Sequence, residues 1–397
     1  MPVVWRSRLF ILLVSACLLG LWYSFSYSQG AHSVMGVSLE DIAPPFTHEH
    51  PPSILLVSAF FPLSKSKHTM REYEWWLCQF LRPITADIYF YTPVEIEPLI
   101  RKCRGRLPIT INTTFSTPFD IPPLVNSKEQ YGKMHAQDRE RKIHSAELYA
   151  VWNGKPYFLD EAVKALSSQG KDYEYAFWND AGSFRSNHNY TDWPALARVH
   201  EIWEEGSVLT GEKKEDLLFF PVCRVPHPSE KHWQEHMGPV DNEFSEGSFF
   251  GGSPQTIAWW RDTYYAYHDY YLGLGIFVGK DQTLINALFL LFPSRVITVW
   301  LDDPDAPAHK EILPLTNEGA LGNCHEEWFY YQFWLATSSA RESMQKIWES
   351  SAWWKWGGWR QRHECRLTRV LSVQDLLRRQ LGNDWQAPKS TIRVVRS

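Results

Sequence analysis

The chain has 397 residues, 44% hydrophobic and 21% charged, with a net charge of −5. That length and balance describe one large or two ordinary globular domains and exclude a disordered chain. The acidic balance argues against a nucleic-acid partner, which needs a basic face. Aromatic residues make up 15% of the chain, with 20 Trp, 18 Tyr and 22 Phe. They suit a large aromatic core, and equally a groove that stacks on flat partners such as nucleobases or sugar faces.

In chain order, the first element is an apolar run from Leu9 to Phe25 preceded by Arg6 and Arg8. It lies at the short end for a bilayer span. The two arginines place the N-terminus in the cytoplasm, and Trp22 and Tyr23 sit where an aromatic belt would lie. A retained type II anchor (residues 9–25 behind a tail, 1–8) is the expectation. A signal peptide cleaved near Ser28-Gln29-Gly30 is the alternative. Either way the remainder faces a secretory lumen, in the Golgi or endoplasmic reticulum. The sequons at Asn112 and Asn189 agree with glycosylation there. So do the five cysteines beyond the anchor (Cys78, Cys103, Cys223, Cys324 and Cys365), which allow one or two disulfides of unspecified pairing and form no C-x-x-C pair.

Residues 26–52, with Pro44-Pro45 and Pro51-Pro52, read as a stem. The folded domain then opens on an apolar run, 53–61, that suits a strand buried on both faces. Thr69 is placed to cap a helix through Arg82, followed by a strand over 86–92 and a short helix over 95–103. This alternation predicts an α/β fold with a mostly parallel sheet. A Pro- and Thr-rich linker is expected over 106–125. A charged helix from Ser127 to Trp152 should end at Asn153-Gly154, and Pro156 should open the next helix, to about Leu166. Strands are expected over 173–178, 216–222 and 295–301, and helices over 254–272 and 280–292. Residues 247–252 read as a glycine-aromatic loop. The folded domain is drawn over 53–340, and 341–397 as a helical extension with a loose polar end.

Three segments offer chemistry. Asp180 follows an aromatic strand in Phe177-Trp178-Asn179-Asp180-Ala181-Gly182, and ligands of open α/β sheets bind at carboxyl ends of strands. A carboxylate there can hold a divalent cation that bridges two phosphates, although the same composition also makes turns. Gly247-Ser248-Phe249-Phe250-Gly251-Gly252-Ser253 permits close backbone approach to a ligand, or a tight turn under an aromatic plug. Lys280-Asp281-Gln282-Thr283-Leu284-Ile285-Asn286 opens a helix with polar groups suited to a cleft, or with ordinary capping by Asp281.

In this order the three segments resemble GT-A-fold glycosyltransferases, which implies a Rossmann-like, mostly parallel sheet flanked by helices, as a single lumenal domain. The 247–255 run resembles a loop of blood-group-type transferases, and the Asp281-Gln282 helix resembles the acidic helix of that family and also that of glycogenin-like enzymes. Over about 53–300 the overall resemblance is to HtrL/YibB-like proteins, through Trp178-Asn179-Asp180-Ala181-Gly182 and Trp152-Asn153-Gly154-Lys155-Pro156. The resemblance implies a nucleotide-sugar donor, a glycan or glycoprotein acceptor, and Mn²⁺ or Mg²⁺. Asp180 would be a metal ligand, and His325, with His268 as rival, the ligand that completes the site. Trp178 stands where an aspartate is usual. Phe60, Arg71, Lys155, Trp178, Asn179 and Gly182 would lie on the donor side. Glu246 and Phe249, Phe250, Gly251 and Gly252 would line the acceptor side. Asp281, Gln282 and Glu246 are the catalytic candidates. Gln282 is a poor nucleophile, so the expected outcome is retention by front-face attack, whereas an inverting enzyme would use Asp281 or Glu246 as base. Two other readings stand beside this one: an inactive relative acting as a lumenal carbohydrate-binding or partner protein, and a metal-dependent hydrolase.

Overall fold

The computed structural model describes residues 53–242, 244–306, 327–356 and 365–394. The expected tail, anchor and stem and His325 lie outside the described residues. Among these residues one sheet contains β1 (Ile54–Ala59), β2 (Asp87–Tyr91), β3 (Thr110–Asn112), β4 (Tyr175–Asn179), β5 (Leu218–Val222), β6 (Phe249–Gly252), β7 (Val296–Trp300) and β8 (Val370–Ser372). Their order is β3-β2-β1-β4-β6-β5-β7-β8. β6 runs antiparallel to β4 and β5, and β8 runs antiparallel to β7. The β1–β2, β1–β4, β2–β3 and β5–β7 pairings are parallel, so the sheet is mixed and mostly parallel, as expected.

The helices are α1 (Met70–Leu81), α2 (Glu97–Arg104), α3 (Lys128–Met134), α4 (Ala146–Ser167), α5 (Leu196–Thr210), α6 (Pro254–Gly273), α7 (Asp281–Leu291), α8 (Tyr331–Trp334), α9 (Ser338–Trp356) and α10 (Val373–Leu381). They cover both faces of the sheet. Side chains alternate between faces along a strand. Thus Leu55, Val57, Ala176 and Trp178 enter one apolar core with α4, α6 and α7. Ile54, Leu56, Tyr175 and Phe177 enter the other with α1 and α5. Thr69 caps α1 in a reciprocal box with Glu72, as its position predicts. Cys78 on α1 and Cys103 on α2 form a disulfide, and Cys365 is disulfide-bonded as well.

Five local expectations are corrected. The linker over 106–125 contains β3, which lengthens the sheet by one strand. The charged helix breaks after α3 because Asp138 accepts from Tyr149 Oη, His144 Nδ1 and the Glu140 N–H, competing with helical backbone bonding. α4 then runs straight through Asn153, Gly154 and Pro156. Tertiary contacts override the breaker signals. Asn153 Nδ2 donates to the Tyr149, Val278 and Gly279 carbonyls, and its Oδ1 accepts from Tyr264. A Cβ on Gly154 would meet Phe158 at 2.7 Å and Ile121 at 3.2 Å, so its glycine serves packing rather than termination. Residues 249–252 form β6 and not a loop, and β8 and α10 fold the expected loose end back onto the sheet.

Candidate active site

The chain runs from β1 outward through β2 and β3, then returns to place β4 on the other side of β1. That reversal leaves a crevice at the carboxyl ends of β1 and β4, where open α/β sheets bind ligands. A cleft of about 710 Å³ lies there. Its walls come from the segment after β1 (Phe60, Lys65, Lys67, His68), the segment after β4 (Asp180, Gly182, Arg185), and α4 through Trp152 and Lys155. The loop before β6 adds Glu246 and Gly247, and the start of α7 adds Asp281 and Gln282. Tyr73, Trp76, Trp328 and Phe329 add aromatic surface.

Lys155 stands at the centre. α4 delivers it almost wholly buried, at 3% exposure. Its Nζ lies 3.1 Å from Asp180 Oδ1 and 2.9 Å from Asp281 Oδ2, and donates to Gly247 O at 2.9 Å. Hydrogen bonds run to Gly247 O and, at 3.4 Å, to Asp180 Oδ2, whereas Asp281 Oδ2 is held by charge alone and takes no hydrogen bond. Burial alone would push Lys155 down, but Asp180 and Asp281 together hold it well above the ordinary lysine value. It is therefore a permanent cation.

Each carboxylate is oriented by its own element. Asp180 Oδ1 accepts from the Trp178 indole N–H at 2.5 Å, and the Asp180 N–H donates to Ser248 O at 2.8 Å. Burial raises Asp180, against the pull of Lys155 and Trp178. Asp281 Oδ1 accepts from the Gln282 N–H at 2.9 Å, and Gln282 Nε2 donates to Ser245 O at 2.6 Å. A Cβ on Gly247 would lie 3.1 Å from Asp281 Oδ2, so a small residue lets this loop lie on the start of α7. Glu246 Oε1 accepts from the Ser248 N–H at 2.9 Å, and the Cys223 thiol donates to Oε2 at 3.6 Å. Burial lifts Glu246 to about 7, against the Ser248 bonds.

The structure brings Phe60, Lys155, Trp178, Asp180, Gly182, Glu246, Asp281 and Gln282 together at this cleft. Trp178 is 1% exposed and acts by fixing Asp180. Other candidates lie elsewhere. Arg71 is exposed in the first turn of α1 and does not line the cleft. Asn179 is buried beneath the turn, donating to Asp180 O and accepting from Ser183 Oγ. Phe249, Phe250, Gly251 and Gly252 are buried in β6 and cannot line an acceptor surface. His268 is buried on α6 between Tyr131 Oη at 2.7 Å and Asp269 Oδ1 at 2.8 Å, away from the cleft. Of the sequons, Asn112 donates to Tyr89 Oη and exposed Asn189 to Ser343 Oγ. The sequence reading missed Lys65, Lys67, His68 and Arg185. Their signal was position, directly after β1 and β4 at the carboxyl edge.

The fit to a divalent cation is poor among the described residues. Trp178 donates to Asp180 Oδ1 and Gln282 to Asp281 Oδ1. The Lys155 ammonium donates to Asp180 Oδ2 at 3.4 Å and stands 2.9 Å from Asp281 Oδ2, a buried oxygen that takes no hydrogen bond, so another cation on these oxygens would stand against Lys155. A hard dication needs about six oxygen ligands, several of them charged. No group of three or more His, Cys, Asp or Glu able to hold one occurs among the described residues.

No family model and no curated protein matches the chain. The HtrL/YibB-like resemblance therefore rests on its two tryptophan-containing segments. Solved structures do match. One is core-mannan synthase A from Aspergillus fumigatus in an Mn/GDP form, at 14% identity and TM-score 0.39, covering 66% of this chain and 76% of that chain. Another is mouse xyloside xylosyltransferase 1 in an apo form, at 10% identity and TM-score 0.33, covering 62% of this chain and 84% of that chain.

Proposed function

We propose that the chain is a GT-A-like glycosyltransferase that moves a sugar from a nucleotide-sugar donor to a hydroxyl of a glycan or glycoprotein. The supporting observation is the convergence of Asp180, Asp281 and Lys155 from β4, α7 and α4 at the topological switch point. They floor a cleft of about 710 Å³, within the range that encloses a small-molecule ligand. Aromatic walls suit a base or sugar face, and the rim residues Lys65, Lys67, His68 and Arg185 suit a diphosphate.

Glycosyl transfer passes through an oxocarbenium-like state with negative charge growing on the departing phosphate. A fixed buried ammonium stabilises that charge without reorganisation. Asp281 Oδ1 accepts from the Gln282 N–H and Oδ2 is buried and ion-paired with Lys155, so this helix presents no exposed carboxylate nucleophile. Retention by front-face attack remains the reading for that reason. Glu246, at about 7, suits a group that orients the acceptor hydroxyl by accepting its hydrogen bond, while the proton passes to the departing phosphate. The divalent cation expected from the sequence is not part of this proposal, because Lys155 occupies the carboxylates.

A secretory, membrane-anchored setting is part of the same proposal. The Cys78–Cys103 disulfide supports it, since such bonds persist in oxidising compartments.

Thermal unfolding of the full chain against UDP, GDP and their sugars tests the reading. One nucleotide class should stabilise it, by about 2.7 kcal/mol at one hundred times its Kd. Asp281→Asn should lose the shift for the matching nucleotide sugar. No shift with any of them would refute the proposal.

A further inference from the structure

We infer that Lys155 is the resident cation of this cleft: its ammonium holds the place of a divalent ion between Asp180 and Asp281, and basic side chains after β1 and β4 receive the diphosphate. The inference rests on the nucleotide-sugar reading for its diphosphate, but not for the assignment of Lys155.

Three observations support it. First, Lys155 touches both carboxylates and the Gly247 carbonyl at 2.9–3.1 Å, a compact cage of oxygens around one cation. A second cation on the same oxygens would sit against a permanent positive charge. Secondly, Lys155 does not come from a loop that swings aside. It projects from the middle of α4, whose neighbouring residue Asn153 is tied to the Val278 and Gly279 carbonyls just before α7. The bonds that hold α4 to Val278 and Gly279 also set the distance from Lys155 to Asp281.

Thirdly, the rim already carries the charge that a metal would otherwise bring to a diphosphate. Lys65, Lys67 and Arg185 all line the cleft. Lys65 donates to Arg141 O, and Ser64 binds Glu147 on α4, which fixes this segment over the site. Arg185 lies 4.6 Å from the Trp76 ring and 5.2 Å from the Phe329 ring. Stacking of that kind holds a guanidinium while leaving its edge for a phosphate.

The test uses the purified full chain, stripped of metal with a chelator. Mn²⁺ titrated into it is followed by the electron-spin resonance of the free ion, and UDP and GDP binding is measured calorimetrically with chelator and with Mn²⁺. The wild-type protein should leave Mn²⁺ free, and the affinity of the preferred nucleotide should be the same with chelator or metal to within about twofold. Lys155→Met should acquire an Mn²⁺ site, read as lost free-ion signal and a raised Tm, and adding Asp180→Asn should abolish it. Lys65→Ala with Lys67→Ala should weaken nucleotide binding about tenfold or more.

The inference is overturned if the wild-type protein takes up Mn²⁺ and loses it on Asp180→Asn. It is also overturned if nucleotide binds only with Mn²⁺, which leaves the transferase reading intact. Absence of nucleotide binding under both conditions refutes the transferase reading instead, and the Mn²⁺ titration still decides the role of Lys155. If Lys155→Met does not fold, the wild-type titration decides that role by itself. A folded Lys155→Met indifferent to Mn²⁺ refutes the assignment.

Discussion

Glu246 is a cleft carboxyl that no cationic group among the described residues contacts directly. Burial lifts it to about 7 against the Ser248 bonds. To accept a hydrogen bond from the acceptor hydroxyl with full strength it must be ionised, so kcat/KM should rise with pH and level off above about 7. Glu246→Gln should remove that limb and lower kcat/KM by about a hundredfold or more. Stability should move the other way. A raised carboxyl contributes stability that is fully present below its ordinary value of 4.5 and is lost as pH rises through about 7. Relative to wild type, Glu246→Gln should therefore gain up to about 3 kcal/mol between pH 4 and pH 8, read by urea unfolding. An unchanged difference across that range would remove Glu246 from the titrating role. Asp180 and Asp281 were legible in the sequence because each sits beside a strand end or a helix start, whereas Lys155 and Glu246 came only from the family resemblance. The partner of each was not legible. Asp180 and Lys155 are joined across a strand and a helix, contacts that residue spacing does not encode.

At the scale of elements, β6 shows where the sequence reading went astray. Two aromatics among three glycines look like a ligand loop, yet Phe249–Gly252 is a central antiparallel strand. Its glycines answer to the sheet. A Cβ on Gly251 would stand 2.1 Å from the Ala176 carbonyl and 2.7 Å from Phe177 Cα, and one on Gly252 would stand 2.7 Å from the Leu217 carbonyl. Backbone cannot yield as a side-chain tip does. Gly251→Ala should cost about 3 kcal/mol or more, seen as a lower urea midpoint or as loss of soluble protein. Wild-type stability in that variant would show that β6 is not packed this tightly. β1, α1, β2 and α7 were legible to within a few residues, because apolar runs and an N-cap are local signals. α4 was not, since Asn153 and Gly154 act there through contacts with Tyr264, Ile121 and the 278–279 carbonyls, and the helix runs on through Pro156.

For the whole molecule, the C-terminal stretch belongs to the fold. Arg369 Nε meets Asp303 Oδ2 at 2.6 Å, and Arg379 Nη1 meets Oδ1 at 2.7 Å. Asp303 itself is fully buried. These ties clamp β8 and α10 to the segment after β7, and partners more than sixty residues apart left no trace in composition. Asp303→Ala should destabilise the chain by about 1–3 kcal/mol, the scale of losing charged hydrogen bonds whose arginine partners stay partly exposed to water. The wild-type contribution should hold above the ordinary aspartate value of 3.8 and be lost as pH falls through its lowered folded value, because burial is outweighed there by Arg369 and Arg379. A thermal melt of Asp303→Ala that overlays wild type would show the clamp to be idle. With its sheet complete, the molecule presents a large crevice at the β1–β4 switch point. The decisive measurement is nucleoside diphosphate release from a panel of UDP- and GDP-sugars by the full chain, beside Asp281→Asn of matched circular dichroism. Release from donors of one nucleotide class, falling about a hundredfold or more in the variant, is the expected result. No release from any donor, or release that Asp281→Asn leaves unchanged, would contradict the assignment of this cleft.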